Sequence, residues 1–203
     1  MATITTFESA ARSFAALAHR IPDEAWDGPG LGDWDLRSLV GHTSRSLITV
    51  ITYLQTPAER EDVATPQEYY VGIADYMAKA GAEAITERGR QAGRDLGEDP
   101  VRTIDDLVER VLGELATAGD PLIEVIGGLG LRLQTYLPTR TFEMAVHSLD
   151  IARAAHISLD LPADVLDEAS VLATRVALAT GRGDELLLAL TGRAGLPPGF
   201  SVV

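Results

Sequence analysis

Apolar side chains recur at steps of three and four residues along most of this chain, the spacing that lines one face of an α-helix. Phe7, Ala10, Ala11, Phe14, Leu17, Ala18 and Ile21 form one such stripe and predict a helix over 5–21, which Pro22 ends. Residues 22–34 are punctuated by Gly and Pro, contain Trp26, close on Trp34 and read as a loop. Asp33 or Asp35 is placed to cap a second helix over 36–55, whose stripe is Leu36, Leu39, Val40, Leu47, Val50, Ile51 and Leu54.

Residues 56–64 are polar and predicted exposed. Thr65-Pro66-Gln67-Glu68 then reads as a capping box with Pro at the first helical position. The helix it opens is predicted to run to about 90, burying Tyr69, Tyr70, Ile73, Tyr76, Met77, Ala80 and Ala84. Another, over 104–118, carries Ile104, Leu107, Val108, Val111, Leu112 and Leu115. The segment 119–137 holds Gly127-Gly128 and patchy alternation, and predicts a buried loop, with a short extended piece left open. A helix over 138–155 follows, then one from Pro162 to about 180, a break at Gly181-Arg182-Gly183 and a short helix over 184–192. The tail GLPPGFSVV reads as extended. With no internal repeat and no convincing strand ladder, the pattern predicts an all-α helical bundle.

At 203 residues the chain suits one domain, or one domain with an appendage. No apolar run escapes interruption by Asp, Glu, Arg or Lys for long enough to span a bilayer, and MATITTFESAARSFAAL lacks a basic stretch leading into an apolar one. The expected location is cytoplasmic. A net charge of −13 without a basic stripe argues against a nucleic-acid partner. The absence of cysteine removes disulfides, thiolate metal sites and cysteine nucleophiles together. Any metal must be held by His and carboxylates, and any thiol chemistry must use a thiol from outside.

Four histidines remain as candidates. His19 and His156 lie at helix C-terminal ends, where a solvated imidazole favoured by the helix dipole explains them. His42 sits on the flank of its helix's apolar stripe and faces the edge of the bundle interior, a position also suited to a hydrogen-bonded packing residue. Glu143 and His147 are four apart, about 40° from each other around a helix and one turn along it, as two ligands of one ion would be. Arg140, Glu143, His147 and Asp150 share one face, which equally describes a salt-bridged solvent face. Apolar residues on both flanks (Phe142, Ala145, Val146 and Leu149 on one, Met144 and Ile151 on the other) point instead to a buried helix whose polar strip faces a cavity. Arg140 is placed to pair with Glu143 or, alternatively, to anchor a substrate carboxylate. Asp150 is placed to orient His147 or to pair with Arg153.

Two blocks resemble the DinB-like superfamily and, within it, the mycothiol-dependent maleylpyruvate isomerase N-terminal family. One is Trp26-Asp27-Gly28-Pro29-Gly30-Leu31-Gly32-Asp33-Trp34-Asp35-Leu36 through Leu39-Val40-Gly41-His42, similar to that family's Trp, Pro-containing loop, second Trp and Leu-Val-x-His. The other is Thr139-Arg140-Thr141-Phe142-Glu143 through His147 to Asp150, similar to its Thr-Arg-x-x-Glu-x-x-x-His-x-x-Asp helix. The resemblance implies a DinB-like four-helix bundle with additional C-terminal helices: a metal-binding bundle over 1–156 and a short helical extension over 157–203. It also implies a divalent metal, usually zinc, held by His42, Glu143 and His147, and a low-molecular-weight thiol such as mycothiol as co-substrate. The family's isomerase adds a C-terminal α/β domain; the residues after His156 read instead as helices, so maleylpyruvate isomerisation itself is not expected.

Two imidazoles and one carboxylate leave an open position on zinc, the pattern of a catalytic site, although nickel, manganese or iron would accept the same donors. Two functional readings stay open. One is a mycothiol-dependent transferase or isomerase acting on a small electrophile; the other is a non-catalytic, metal-stabilised bundle that binds a small ligand or a partner protein. A small thiol and an electrophilic substrate are the expected partners, with a homodimer left open.

Overall fold

The structure, a computed structural model, describes residues 2–203 apart from the side chains of Asp75, Met77, Ala80 and Ala82. Its helices are α1 (Ala2–Ala18), α2 (Leu36–Tyr53), α3 (Pro66–Ala80), α4 (Ala82–Asp95), α5 (Pro100–Ala118), α6 (Leu133–Ala154), α7 (Ala163–Ala179) and α8 (Gly183–Leu190). A two-stranded antiparallel hairpin, β1 (Leu122–Val125) and β2 (Leu129–Arg132), precedes α6. Helices α1, α6, α2 and α5 pack in a ring, each against the next, and form the four-helix core. Helix α4 lies on α2, and α7 lies across α6, α3 and α1. The fold is the expected all-α DinB-like bundle, with one small sheet added.

The predicted stripes form the core. Phe7, Phe14 and Leu17 of α1, Leu36, Leu39 and Leu47 of α2, Ile104 and Val111 of α5, and Leu133, Leu137, Met144 and Ile151 of α6 are all buried. Each large apolar side chain removed from water contributes about 1.5–3 kcal/mol. Helix ends follow local chemistry. Asp35 caps α2 by accepting from the Ser38 N–H at 2.7 Å. At α3, Thr65 and Glu68 complete the capping box: the Thr65 N–H donates to Glu68 Oε2 at 3.1 Å, and the Glu68 N–H to Thr65 Oγ1 at 3.4 Å.

The structure departs from the sequence-based expectation in five places. The helix expected to run to 90 is two helices, because Gly81 adopts φ 78° and breaks the ladder. Extending one period across that break wrongly assigns Tyr76 and Ala84 to the core; both are exposed, while Met77 and Ala80 lie outside the described residues. Helix α5 begins at Pro100 rather than 104, since Asp99 caps it by accepting from the Arg102 N–H. The segment 119–137 contains the hairpin, with Leu122 opposite Arg132 and Val125 opposite Leu129. Residues 56–64 are not wholly exposed, because Val63 is buried and bridges Leu131. Finally, α6 starts at Leu133, with Pro138 inside it. Its first N–H groups are satisfied from the preceding turn: Leu133 donates to the Pro121 carbonyl and Gln134 to Asp120 Oδ1. A cap supplied from that far back leaves no local signal.

Helices α2 and α4 touch through their backbones. A Cβ on Gly41 would collide with the main chain of Ala92 and Gly93, and one on Gly93 would approach Ser38 Cα to 2.9 Å. A Gly→Ala change inside a helix ordinarily stabilises by about 1 kcal/mol. At Gly41 overpacking, at about 1–3 kcal/mol, outweighs that gain, whereas Gly113, exposed in α5, has nothing near its Cβ position. Gly41→Ala is therefore expected to lower the urea midpoint and Gly113→Ala to raise it; equal shifts of one sign in the two variants would contradict the close crossing.

Candidate metal centre

Helix α6 is buried nearly all round, with Thr141, Phe142, Met144, Ala145, Ser148, Ile151 and Ala152 packed inside. Only one flank departs from expectation: Val146 and Leu149 are 37% and 42% exposed. The polar strip, in contrast, points inward. Glu143 and His147 side chains keep 23% and 15% of their accessible surface, with His147 Nε2 3.5 Å from Glu143 Oε2. From α2, His42 reaches the same point; its ring lies 5.0 Å from that of His147, edge to face. One ligand atom from each of His42, Glu143 and His147 lies within 4.8 Å of the other two. Side chains from two helices nearly a hundred residues apart in the chain thus converge on one spot.

Each member is held by a further group. His147 Nδ1 lies 3.3 Å from Asp150 Oδ2, so Asp150 serves His147, one of its two expected uses. Tyr70 of α3 places its hydroxyl 3.1 Å from Glu143 Oε1 and 3.2 Å from the Thr139 carbonyl. Trp34 stacks at 4.6 Å on the His42 ring, while its indole N–H donates to the Thr86 carbonyl of α4 at 2.8 Å. Gly89 makes room for that indole, since a Cβ there would overlap it. His42 Nδ1 is buried and has no hydrogen-bond partner.

The electrostatics separate the two imidazoles. Burial, then the neighbouring His147, push His42 down to about 4 despite the nearby Glu143, so it stays neutral. Burial also works against a charge on His147, but hydrogen bonds to Asp150 and Glu143 overcome it and raise the group to about 9. Burial would raise Glu143; hydrogen bonding from His147 and the charge of Arg140 outweigh it and hold the carboxyl at about 2.

Beside the centre opens a cleft of about 140 Å³ whose wall includes His42, Arg45, Arg88, Tyr136, Arg140 and Glu143. Arg140 does not form the expected ion pair with Glu143. Its guanidinium lies over the rings of Tyr136, at 4.9 Å, and Tyr69, at 5.6 Å, and its Nε donates to Thr139 Oγ1. The other two histidines are elsewhere: His19 is exposed and 2.9 Å from Asp105, and His156 is exposed with φ 56° at the end of α6. Arg45 and Arg88 are site residues that the sequence pattern does not single out, while Tyr70 is read there only as core and Trp34 only as the second Trp of the block leading to His42. For Arg45 a signal existed: His42, Arg45, Ser46 and Thr49 fall at helical spacing as polar positions facing one side of α2.

Fold and site together define an α-helical bundle with a two-histidine, one-carboxylate centre between its helices. Residues 7–152 match the mycothiol maleylpyruvate isomerase N-terminal domain, and the chain belongs to that family. The match runs from within α1 to within the last turn of α6 and so includes His42, Glu143 and His147. No curated protein and no solved structure matches the chain. The family is one of DinB-like, mycothiol-related metal-binding proteins. Among the described residues no helix is long and apolar enough to cross a membrane.

Tyr70→Phe removes the hydroxyl beside a buried carboxylate oxygen and leaves the rest of the ring in place. The expected loss is about 1–2 kcal/mol of unfolding free energy with unchanged helicity; urea titration followed by circular dichroism checks it, and an unchanged midpoint would mean that the contact carries no weight.

Proposed function

We propose that His42, Glu143 and His147 hold a divalent metal ion, zinc foremost, and that the protein is a thiol-linked transferase or isomerase acting on a small electrophile with mycothiol as co-substrate. The observation that carries this reading is that one donor atom each of His42, Glu143 and His147 lies within 4.8 Å of the other two, and that His42 has a buried Nδ1 without a partner. Buried polar atoms in folded proteins nearly always find a partner, and a neutral imidazole such as His42 is in the form that binds a metal, while His147, raised against its burial by Asp150 and Glu143, would bind one by giving up its proton. The donors present therefore fit the group that the family implies.

When bound, an ion at this donor set supplies Lewis acidity, which lowers the pKa of a thiol or water that it binds. The chain's own groups prepare the place. Asp150 fixes the ring orientation of His147 by occupying its Nδ1 side, leaving Nε2 toward Glu143. The Tyr70 hydroxyl satisfies one oxygen of Glu143 and leaves the other facing His147. Trp34 covers one face of His42 and keeps water from it. The thiol must come from outside, since the chain has no cysteine, and the adjoining cleft offers the electrophile a place within reach of the centre.

Elemental analysis of the purified protein is expected to find stoichiometric divalent metal that His42→Ala and His147→Ala lose while remaining helical. Wild type without metal, or equal content in all three proteins, would sink the assignment. With metal present, mycothiol is expected to raise the melting temperature of loaded protein and not of chelator-stripped protein; indifference to the thiol would favour a non-catalytic bundle. Asp150→Asn is expected to weaken metal affinity by about 10–100-fold through its effect on His147, read by competition with a chromogenic chelator.

A further inference from the structure

The chain carries thirty acidic and seventeen basic side chains, and among the described residues eight arginines lie within ion-pair distance of a carboxylate. Arg12 pairs with Glu8, Arg94 with Glu87 and Arg110 with Glu114, all on outer helix faces. The cleft beside the metal centre is different in kind, because it gathers several arginines around one cavity. Arg45 of α2, Arg88 of α4 and Arg140 of α6 all border it, and all are half-buried. Among the described residues neither Arg45 nor Arg88 has an ion pair or a hydrogen-bond partner, and Arg140 has only Thr139 Oγ1 and the two tyrosine rings. Among the described residues the one carboxylate on the wall is Glu143, which faces Tyr70 and His147. Burial and then the charge of Arg88 pull Arg45 below its ordinary value, whereas at Arg140 burial is outweighed by Tyr136, Tyr69 and Glu143, which push it up.

We infer that Arg45, Arg88 and Arg140 form an anion subsite in this cleft, built for a small molecule carrying at least two oxyanion charges. Guanidinium is the suitable cation for this purpose: it does not lose its proton, and its planar fork meets carboxylate or phosphate oxygens two at a time. The three come from three different helices, so a bound anion would bridge α2, α4 and α6 across the mouth of the cleft. Arg140 is already fixed by its stacking, which leaves its outward N–H groups in a set direction. The tyrosines and Ile73 and Ile85 on the remaining wall suit a short carbon skeleton between the charged ends. This deepens the metal-and-thiol reading, on which it rests only for where the reacting carbon would lie: with its anionic end on the arginines, a substrate of this class presents its other end toward His42 and Glu143. Electrophile and thiol would then occupy neighbouring places, which is what group transfer between them requires.

The test does not depend on metal. Chelator-stripped and metal-loaded protein are each titrated calorimetrically with malonate, succinate and inorganic phosphate, against acetate and neutral malonamide at matched ionic strength. Dianions are expected to bind and acetate and malonamide not to; a preference for malonate or succinate identifies a carboxylate ligand, and one for phosphate a phosphorylated ligand. Arg45→Gln and Arg88→Gln are each expected to weaken dianion binding at least tenfold, while Arg110→Gln on the outer face of α5 leaves it unchanged. The same two variants, freed of repulsion, are expected to melt no lower than wild type without ligand, a result that a merely structural arginine would not give. Absence of dianion binding in wild type, or equal binding in all variants, overturns the subsite. If dianions bind stripped protein and elemental analysis finds no metal, the subsite stands and the metal assignment falls; if metal is found and dianions do not bind, the metal assignment stands and the subsite falls.

Discussion

A helix that carries Arg140, Glu143, His147 and Asp150 along one line cannot be sunk into a bundle unless each group finds a partner, since an uncompensated buried charge costs several kcal/mol. The fold around α6 answers this demand. Tyr70 comes from α3 to meet Glu143, the rings of Tyr69 and Tyr136 receive the guanidinium of Arg140, and Asp150 meets His147 from one turn away. His42 then approaches from α2 to within ring contact of His147. The positions of α2 and α3 relative to α6 are therefore set as much by this polar strip as by the apolar core on its other sides. Satisfying the strip also produces the site, because the same contacts orient every donor.

The other half of the geometry comes from residues with no side chain. Gly41 and Gly93 let α2 and α4 meet backbone to backbone, and Gly89 admits the Trp34 indole into what remains of the space. Trp34 is tied to α4 through the Thr86 carbonyl and lies against His42. Any widening of the α2–α4 crossing would move the indole and loosen the ring it covers. A packing feature far from the chemistry in character is thus coupled to it through a single aromatic contact. The coupling also explains why a loop residue, Trp34, is among the least replaceable parts of the site on physical grounds.

Much of this is legible in the sequence, for identifiable reasons. The stripes of α1, α2 and α5 are long and regular, and the caps at Asp35 and at Thr65 with Glu68 are local, so elements and core follow from spacing. The i,i+4 pair Glu143 and His147 can be placed on one face without a structure. What is not legible depends on contacts distant in sequence. Asp120 starts α6 from beyond the hairpin, so local signals begin the helix only at Pro138. Gly81 ends a helix whose apolar period continues through it. The tyrosines at 69 and 70 read as core, and they are, but nothing local reveals that one hydroxyl ends on Glu143 and the other's ring receives Arg140. Spacing assigns Arg140 to Glu143 because an i,i+3 ion pair is the nearest available partner; the aromatic faces that hold it instead belong to α3 and to an earlier turn of α6.

An acidic chain with a cationic cleft raises the question of how an anion would approach it. At physiological ionic strength the Debye length is about 8 Å, so surface carboxylates beyond that distance contribute little to the potential inside the cleft. Within it, low-dielectric walls concentrate the field of Arg45, Arg88 and Arg140 while solvent screens the distant acids. The net charge of −13 and a local positive potential in the cleft are therefore compatible. The cleft accepts only an anion small enough to pass inside the screening distance. Selection by size thus follows from the distribution of charge alone, before any specific contact to the metal centre is made.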